Sequence, residues 1–370
     1  FSNLNEVSPL IQCQLHNDWV AAREGKPISL LAKWMPSENA SSKRTRQRAR
    51  DMIKALGMTA RDYRVMLSTL RAKLNLVETS LSAKAYETID IQLLPSRALK
   101  KYKASLKKHV PTQFAKVMAE VTRSLTTKEV PTAKINTKAV YPYEVLLESD
   151  RSLRDAQWAQ MIRDRIYATD DTLVVCDTSG SMGNIGNNML QPIHVALALT
   201  MYFAETNSPG WKDQFITFSV RPSIERLVGA TLTERAMNLN RAHWEMNTNI
   251  DAVFNLIHQK ALASHLTPPK NIVIVSDMQF DQCAYAGGKG VFDKWKGVFK
   301  NSGLTLPTVV FWNVSDLGNT KPVTAHQTGA ILISGKSPAA SQAFKTAMSG
   351  VTPYDSMIQL LNSERYSVIV

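Results

Sequence analysis

An aspartate closing an apolar run, then serines two and four residues on, is the pattern in this chain best suited to chemistry. It lies in Thr172–Gly183 (TLVVCDTSGSMG) as Asp177, Ser179 and Ser181. One carboxylate and two hydroxyls are hard oxygen donors of the kind Mg²⁺ accepts, but they carry too little charge to hold the ion alone. A coordination position is therefore expected to stay open for an acidic group of a partner. Two other segments complement the set: Asn247-Thr248-Asn249 offers a hydroxyl ahead of the helical pattern at Ile250, and Asp277 closes a second apolar run, Ile272–Ser276. If both runs are parallel strands, the three segments share one sheet edge, beyond the carboxyl ends where ligands collect in α/β sheets. The expected ligands are Asp177, Ser179, Ser181, Thr248 and Asp277, and the expected cofactor is Mg²⁺ or another divalent cation. Asp281 reads as a loop carboxylate, and His194 and His243 as structural, because this ion prefers oxygen.

Catalysis is not expected. The sequence offers no paired metal carboxylates, no nucleophile beside a base and no phosphate-cradling loop. Gly287-Gly288-Lys289-Gly290 is glycine-rich but lacks P-loop spacing and reads as a turn.

The elements that must position the aspartates follow from hydrophobic rhythm. From Asp171 onward the chain alternates strand and helix, with strands over Thr172–Cys176, Gln214–Phe218, Ile272–Ser276, Thr308–Asn313 and Ala330–Ser334, and an edge strand at Ser223–Leu227. Helices are expected over Met189–Thr206, Ile250–Ser264, Val291–Asn301, Pro338–Met348 and Asp355–Asn362. Near-continuous apolar strands between amphipathic helices specify an α/β fold, a mostly parallel sheet covered on both faces. Residues from Asn3 to about Arg123 instead carry apolar positions three and four apart and read as short helices, with caps at Ser41-Ser42 and Thr59 and a break at Gly57. Residues 124–170, of mixed polarity with Pro131 and Pro142, read as a connector that packs against the α/β part. The expected division is a basic α-helical region with connector over 1–150 and the α/β domain over 151–370.

Charge follows the same division. The 370 residues carry a net +13; residues 1–150 hold 25 Lys+Arg against 14 Asp+Glu, whereas 151–370 hold 19 against 17. That asymmetry suits a polyanion-binding module joined to a near-neutral one. The densest basic run, Lys43 to Arg50 (KRTRQRAR), places Lys43, Gln47, Arg50 and Lys54 on one helix side with Arg44 and Arg48 adjacent. Lys100, Lys101, Lys103, Lys107, Lys108 and His109 form a second basic face. The candidate nucleic-acid contacts are Lys43, Arg44, Arg46, Arg48, Arg50, Lys100, Lys101, Lys107 and Lys108, with RNA or another polyanion as the expected partner. The nearby aromatics Trp34, Tyr63 and Tyr102 read as core.

Hydrophobic residues make up 44% and charged residues 20%, a globular composition. The apolar stretch Val195–Ala204 is too short to span a bilayer, so no membrane partner is expected. Cys13, Cys176 and Cys283 lack metal-site spacing and read as reduced, with Cys176 inside the sheet. A reducing, cytoplasmic setting is expected. Starting at Phe1 is what a fragment or a processed product would show.

The three-segment pattern resembles the von Willebrand factor A domain, a Rossmann-like fold, and its metal-ion-dependent adhesion site (MIDAS), over residues 171–335. The resemblance implies that Ser179, Ser181 and Thr248 ligate Mg²⁺ through hydroxyls, that Asp177 and Asp277 act mostly through bound water, and that a partner carboxylate or phosphate completes the octahedron. Leu30–Asn39 (LLAKWMPSEN), Tyr63-Arg64, Leu67-Ser68, Leu70-Arg71, Leu94-Pro95-Ser96, Pro307–Asn313 (PTVVFWN) and Ser334-Gly335 resemble, in order, the signature of an uncharacterised, domain-of-unknown-function family. That family joins a helical region to a von Willebrand A domain. Its helical part is similar to the TROVE module of the Ro autoantigen, a ring-shaped, HEAT-like binder of structured and misfolded RNAs. A helix of about 12 residues spans only ~18 Å, so the helices here are too few to close such a ring, and surface binding is what carries over. The resemblance implies a non-catalytic, Ro-like binding protein; the alternative is a Mg-dependent protein–protein adhesion or scaffolding module in a viral or phage assembly.

Overall fold

A computed structural model of the chain describes residues 4–123, 127, 129–165, 171–184, 189–217, 219, 221–241, 250–277, 288–315, 330–336 and 353–362. Contacts group the chain into two compact units, residues 1–94 with 98–112, and residues 95–97 with 113–370.

The first unit is helical: α1 (Leu4–Arg23), α2 (Leu31–Trp34), α3 (Lys43–Ala55), α4 (Ala60–Lys73), α5 (Val77–Ser82) and most of α6 (Ser96–His109). Its starts and stops follow local rules. Ser42 accepts a hydrogen bond from the Thr45 amide and Thr59 one from the Asp62 amide, capping α3 and α4. Gly57 joins the two helices at φ +63°, a left-handed value that glycine adopts without a Cβ clash. The core gathers Leu15 of α1, Met52 and Leu56 around α3, and Tyr63, Leu67 and Leu70 of α4.

Residues 32–38 are tied to α4 by polar contacts. The Arg71 guanidinium donates to the carbonyls of Ala32 (2.9 Å) and Met35 (2.6 Å) and to Ser37 Oγ (2.7 Å). The Tyr63 hydroxyl donates to the Pro36 carbonyl at 2.8 Å, and Arg64 pairs with Glu38. Burial raises the Tyr63 phenol to about 12 and pulls the Arg71 guanidinium down. Trp34 departs from expectation: it is 76% exposed. Ala32 and Met35 take the inward positions of this pinned segment, which leaves the intervening Trp34 outside.

The second unit contains a six-stranded sheet in the order β3-β2-β1-β4-β5-β6, from β1 (Thr172–Cys176), β2 (Gln214–Thr217), β3 (Ile224–Arg226), β4 (Asn271–Ser276), β5 (Thr308–Asn313) and β6 (Ala330–Ser334). All pairings are parallel except β2 with β3, whose antiparallel partner is the expected edge strand. Every residue of β1 and β4 is buried, as strands covered on both faces must be. One face packs on α10 (Pro192–Thr206), α11 (Leu232–Asn240), α8 (Pro142–Leu146) and α9 (Arg151–Asp164). The other packs on α12 (Ile250–Ala263) and α13 (Gly288–Asn301). The remaining described helices are α7 (Pro111–Thr122) and α14 (Pro353–Leu361); the helix expected over Pro338–Met348 lies outside the described residues.

The segment read as a connector thus contains helices that pack on α10, as the expectation of packing required. Periodicity hides α9 because polar residues sit on its inward side: Gln157 and Gln160 are buried, and Gln160 accepts from the Ile135 amide and donates to Asp164. Cys176 lies within the sheet as expected, and burial pushes its thiol up to about 12. Among the described residues no helix is long and apolar enough to cross a membrane.

Replacing Arg71 by Lys removes the fork that satisfies two carbonyls and a hydroxyl at once. The variant is expected to lose about 1–3 kcal/mol of unfolding free energy. A lower urea midpoint at unchanged slope would show it; an unchanged midpoint would mean that the fork contributes nothing net.

Candidate metal centre

The order of strands in the sheet reverses direction between β1 and β4. From β1 the chain moves outward to β2 and β3, and from β4 it moves the other way to β5 and β6. Such a switch point opens a crevice at the carboxyl ends of the two strands. Asp177 follows β1 and Asp277 follows β4, with Cys176 in register with Val275. The ladder continues one step further, the Asp177 amide donating to the Val275 carbonyl at 3.0 Å. Both aspartates are 2% exposed.

Local chemistry shapes the turn after β1. Asp177 Oδ1 accepts from the Ser179 amide at 2.8 Å, an Asx turn, and Oδ2 accepts from the Ser276 hydroxyl at 2.5 Å. A single helical turn over Gly180–Met182 comes next, with Met182 buried in the core beneath it. Gly183 closes the turn at φ +96°, where an added Cβ would collide with the Gln191 side chain. The Ser179 and Ser181 hydroxyls end 3.0 Å apart, Ser181 on the exposed side.

Burial raises the Asp177 pKa above the ordinary carboxylate range; the donors from Ser276 and Ser179 oppose the shift, and the nearby Asp277 charge adds to it. A like charge that adds to the cost of ionising a buried carboxylate is the electrostatic situation a divalent cation relieves. A carboxylate offers about four lone-pair sites, so Asp177 can accept from the Ser179 amide and the Ser276 hydroxyl and still have capacity for a ligand. The donor set present therefore fits a hard cation held by oxygen. Among the described residues no three His, Cys, Asp or Glu side chains gather into a metal-binding group.

The structure brings together Asp177, Ser179 and Ser181 on one turn and sets Asp277 on the neighbouring strand end. Thr248 lies outside the described residues, as do His243 and Asp281. His194 is buried, and its Nδ1 accepts from the Gln191 amide at the start of α10. Sequence reasoning missed Ser276, the residue that donates to Asp177. It also missed a wider row of buried polar residues along this sheet edge, Thr217 ending β2, Ser219 beyond it and Asn313 ending β5. The available signal was a polar residue directly after each apolar run.

The basic candidates fall on α3 and α6. Lys43, Arg44, Arg48, Arg50, Lys101, Lys107 and Lys108 are exposed, and Lys100 is half-buried. Arg46 differs: its guanidinium donates to the carbonyls of Ala40 and Ser41 and so ties down the start of α3. His109 stacks on Tyr86 with ring centroids 3.9 Å apart.

Comparison with known proteins gives two family matches. Residues 171–357 match the model described as Domain of unknown function (DUF7788), and residues 42–169 that described as Domain of unknown function (DUF2828). "Uncharacterized protein L728" of Acanthamoeba polyphaga mimivirus is 34% identical over 328 residues, 83% of this chain and 56% of that protein. The chain therefore spans little more than half the length of that curated relative. Among solved structures, the crystal structure of Deinococcus radiodurans RO (RSR) protein superposes at a TM-score of 0.43 with 12% identity, covering 89% of this chain and 76% of that one.

Replacing Ser276 by Ala deletes the hydroxyl donor to a buried carboxylate and is expected to cost about 1–3 kcal/mol at neutral pH. Chemical denaturation without added metal measures it, and a loss below a few tenths of a kcal/mol would show that the contact is inert.

Proposed function

Because this chain belongs to the family of the domain of unknown function DUF7788, whose matched segment contains the whole sheet and both switch-point aspartates, we propose that it is a non-catalytic binding protein built around a divalent cation. Asp177, Ser179, Ser181, Asp277 and Thr248 hold Mg²⁺, in the manner of the adhesion site of a von Willebrand A domain. When bound, the ion supplies an electrophilic position for an acidic group of a partner. The observation that carries this reading is the pair of buried carboxylates at the switch point beside two hydroxyls 3.0 Å apart. The chain's own residues orient the donors: Ser276 and the Ser179 amide fix the Asp177 carboxylate, and Met182 anchors the turn that presents the serines.

A MgCl₂ titration followed by calorimetry and by melting temperature tests it. The chain is expected to bind Mg²⁺ and to gain about 2.7 kcal/mol of stability at a hundredfold excess over Kd. Asp177→Asn and Thr248→Ala are each expected to weaken binding at least tenfold. Absence of binding, or binding indifferent to Asp177→Asn, would end the proposal.

The basic first unit supports a second component, attachment to the phosphates of RNA. What favours it is the concentration of charge in residues 1–150 and the exposure of Lys43, Arg50, Lys101, Lys107 and Lys108. Filter binding to a hairpin RNA over a salt series is expected to give affinity that falls steeply with salt. Replacing any one of these residues by Ala should reduce the log–log slope by about 1; a flat salt response would remove RNA from the account.

A further inference from the structure

The first unit contains a groove of 1720 Å³ that the metal centre does not use. Its apolar lining comes from Leu4, Val7, Ile11, Leu31, Leu67 and Leu76, which are aliphatic. Trp34 stands in it, mostly exposed, on a segment that Arg71 and Tyr63 hold rigidly from behind. A large aromatic on a fixed support loses little freedom when covered, which is the character of an interface hot spot.

The charges around the groove are not balanced. Glu38 is paired with Arg64, Glu78 lies near Lys33 and the Tyr102 hydroxyl, and Asp51 accepts from Gln47. Arg44 and Arg48 also line the groove, one helical turn apart on α3, and neither makes a hydrogen bond or ion pair among the described residues. An apolar surface thus carries two uncompensated cations and an aromatic anchor.

Size narrows the occupant. Small-molecule pockets run from about 300 to 1,000 Å³. Three turns of helix, about 10–12 Å across and ~16 Å long, fill roughly 1,300–1,800 Å³, which matches this groove. Chemistry narrows it further. A nucleic-acid strand would carry its continuous phosphate charge past Glu38, Asp51 and Glu78, whereas a peptide places carboxylates only where cations await them.

We propose that this groove is a docking site for an amphipathic helix of a partner protein, its aliphatic stripe seated on Trp34 and the leucines and its acidic flank against Arg44 and Arg48. This is helix-in-groove recognition, read through anchors at i, i+3 or i+4, and i+7. It is independent of the metal-site reading.

The probe is a bead-displayed library of 16-residue peptides with aliphatic residues at helical spacing and either Glu or Lys on the flanks, sorted against the full chain in EDTA. Acid-flanked peptides are expected to be enriched. The best of them, synthesised and measured by fluorescence anisotropy, should lose at least tenfold in affinity with Trp34→Ala and with Arg44→Glu/Arg48→Glu. Melting temperatures report that these variants remain folded, and a scrambled peptide of the same composition should not bind. Because the sort excludes divalent metal, failure of the metal centre leaves this result untouched, and Asp177→Asn should not change it. Enrichment of Lys-flanked peptides, equal binding of the scramble, affinity unchanged in Trp34→Ala, or displacement of the peptide by a single-stranded 20-nucleotide RNA would each overturn the proposal.

Discussion

Two carboxylates emerging from adjacent parallel strands into one dry crevice constrain everything around them. Asp177 and Asp277 are both almost fully buried, and the second adds to the ionisation cost already imposed on the first by burial. A protein interior accommodates such a pair only if donors and counter-charge reach it. Ser276 and the Ser179 amide provide the donors here. The turn that brings Ser179 into place depends in turn on the buried Met182 and on Gly183, whose positive φ would strain any residue with a side chain. The sheet supplies the remaining condition, because only a reversal of strand order between β1 and β4 opens the crevice in which both aspartates end.

The first unit is organised by a different constraint, the satisfaction of backbone carbonyls in a segment that is neither long helix nor strand. Residues 32–38 turn their carbonyls toward α4, and Arg71 meets two of them together with a serine hydroxyl. Tyr63 meets another and Arg64 pairs with Glu38. The two motif blocks LLAKWMPSEN and Tyr63–Arg71, separated in sequence, are therefore one physical object. Each supplies what the other's backbone or charge lacks. The same arrangement turns Trp34 outward into the groove that Arg44 and Arg48 also line, so one packing solution produces both a stable knot and an exposed aromatic.

The basic run on α3 has three fates that its linear spacing conceals. Arg46 folds back on the carbonyls that precede the helix. Arg44 and Arg48 line the groove, and Lys43 and Arg50 stay exposed outside its lining. Each residue's neighbours in space, rather than the density of charge, decide which partner it can meet.

The sequence by itself determined the strands and their burial, since a continuous apolar run such as TLVVC can only be stable with both faces covered. It also determined the hydroxyl-rich turn after Asp177, because Asx turns, caps and positive-φ glycines are short-range effects carried by the residues themselves. Tertiary structure decided the rest. That Ser276 would reach Asp177 depends on strand neighbours that are 99 residues apart in the chain. That α9 can bury Gln160, a polar residue that blurs the period of its apolar face, depends on the partners Gln160 finds in the Ile135 amide and Asp164. That Trp34 faces outward depends on Arg71 lying beneath its backbone. In each case the deciding interaction joins groups whose proximity no local pattern encodes.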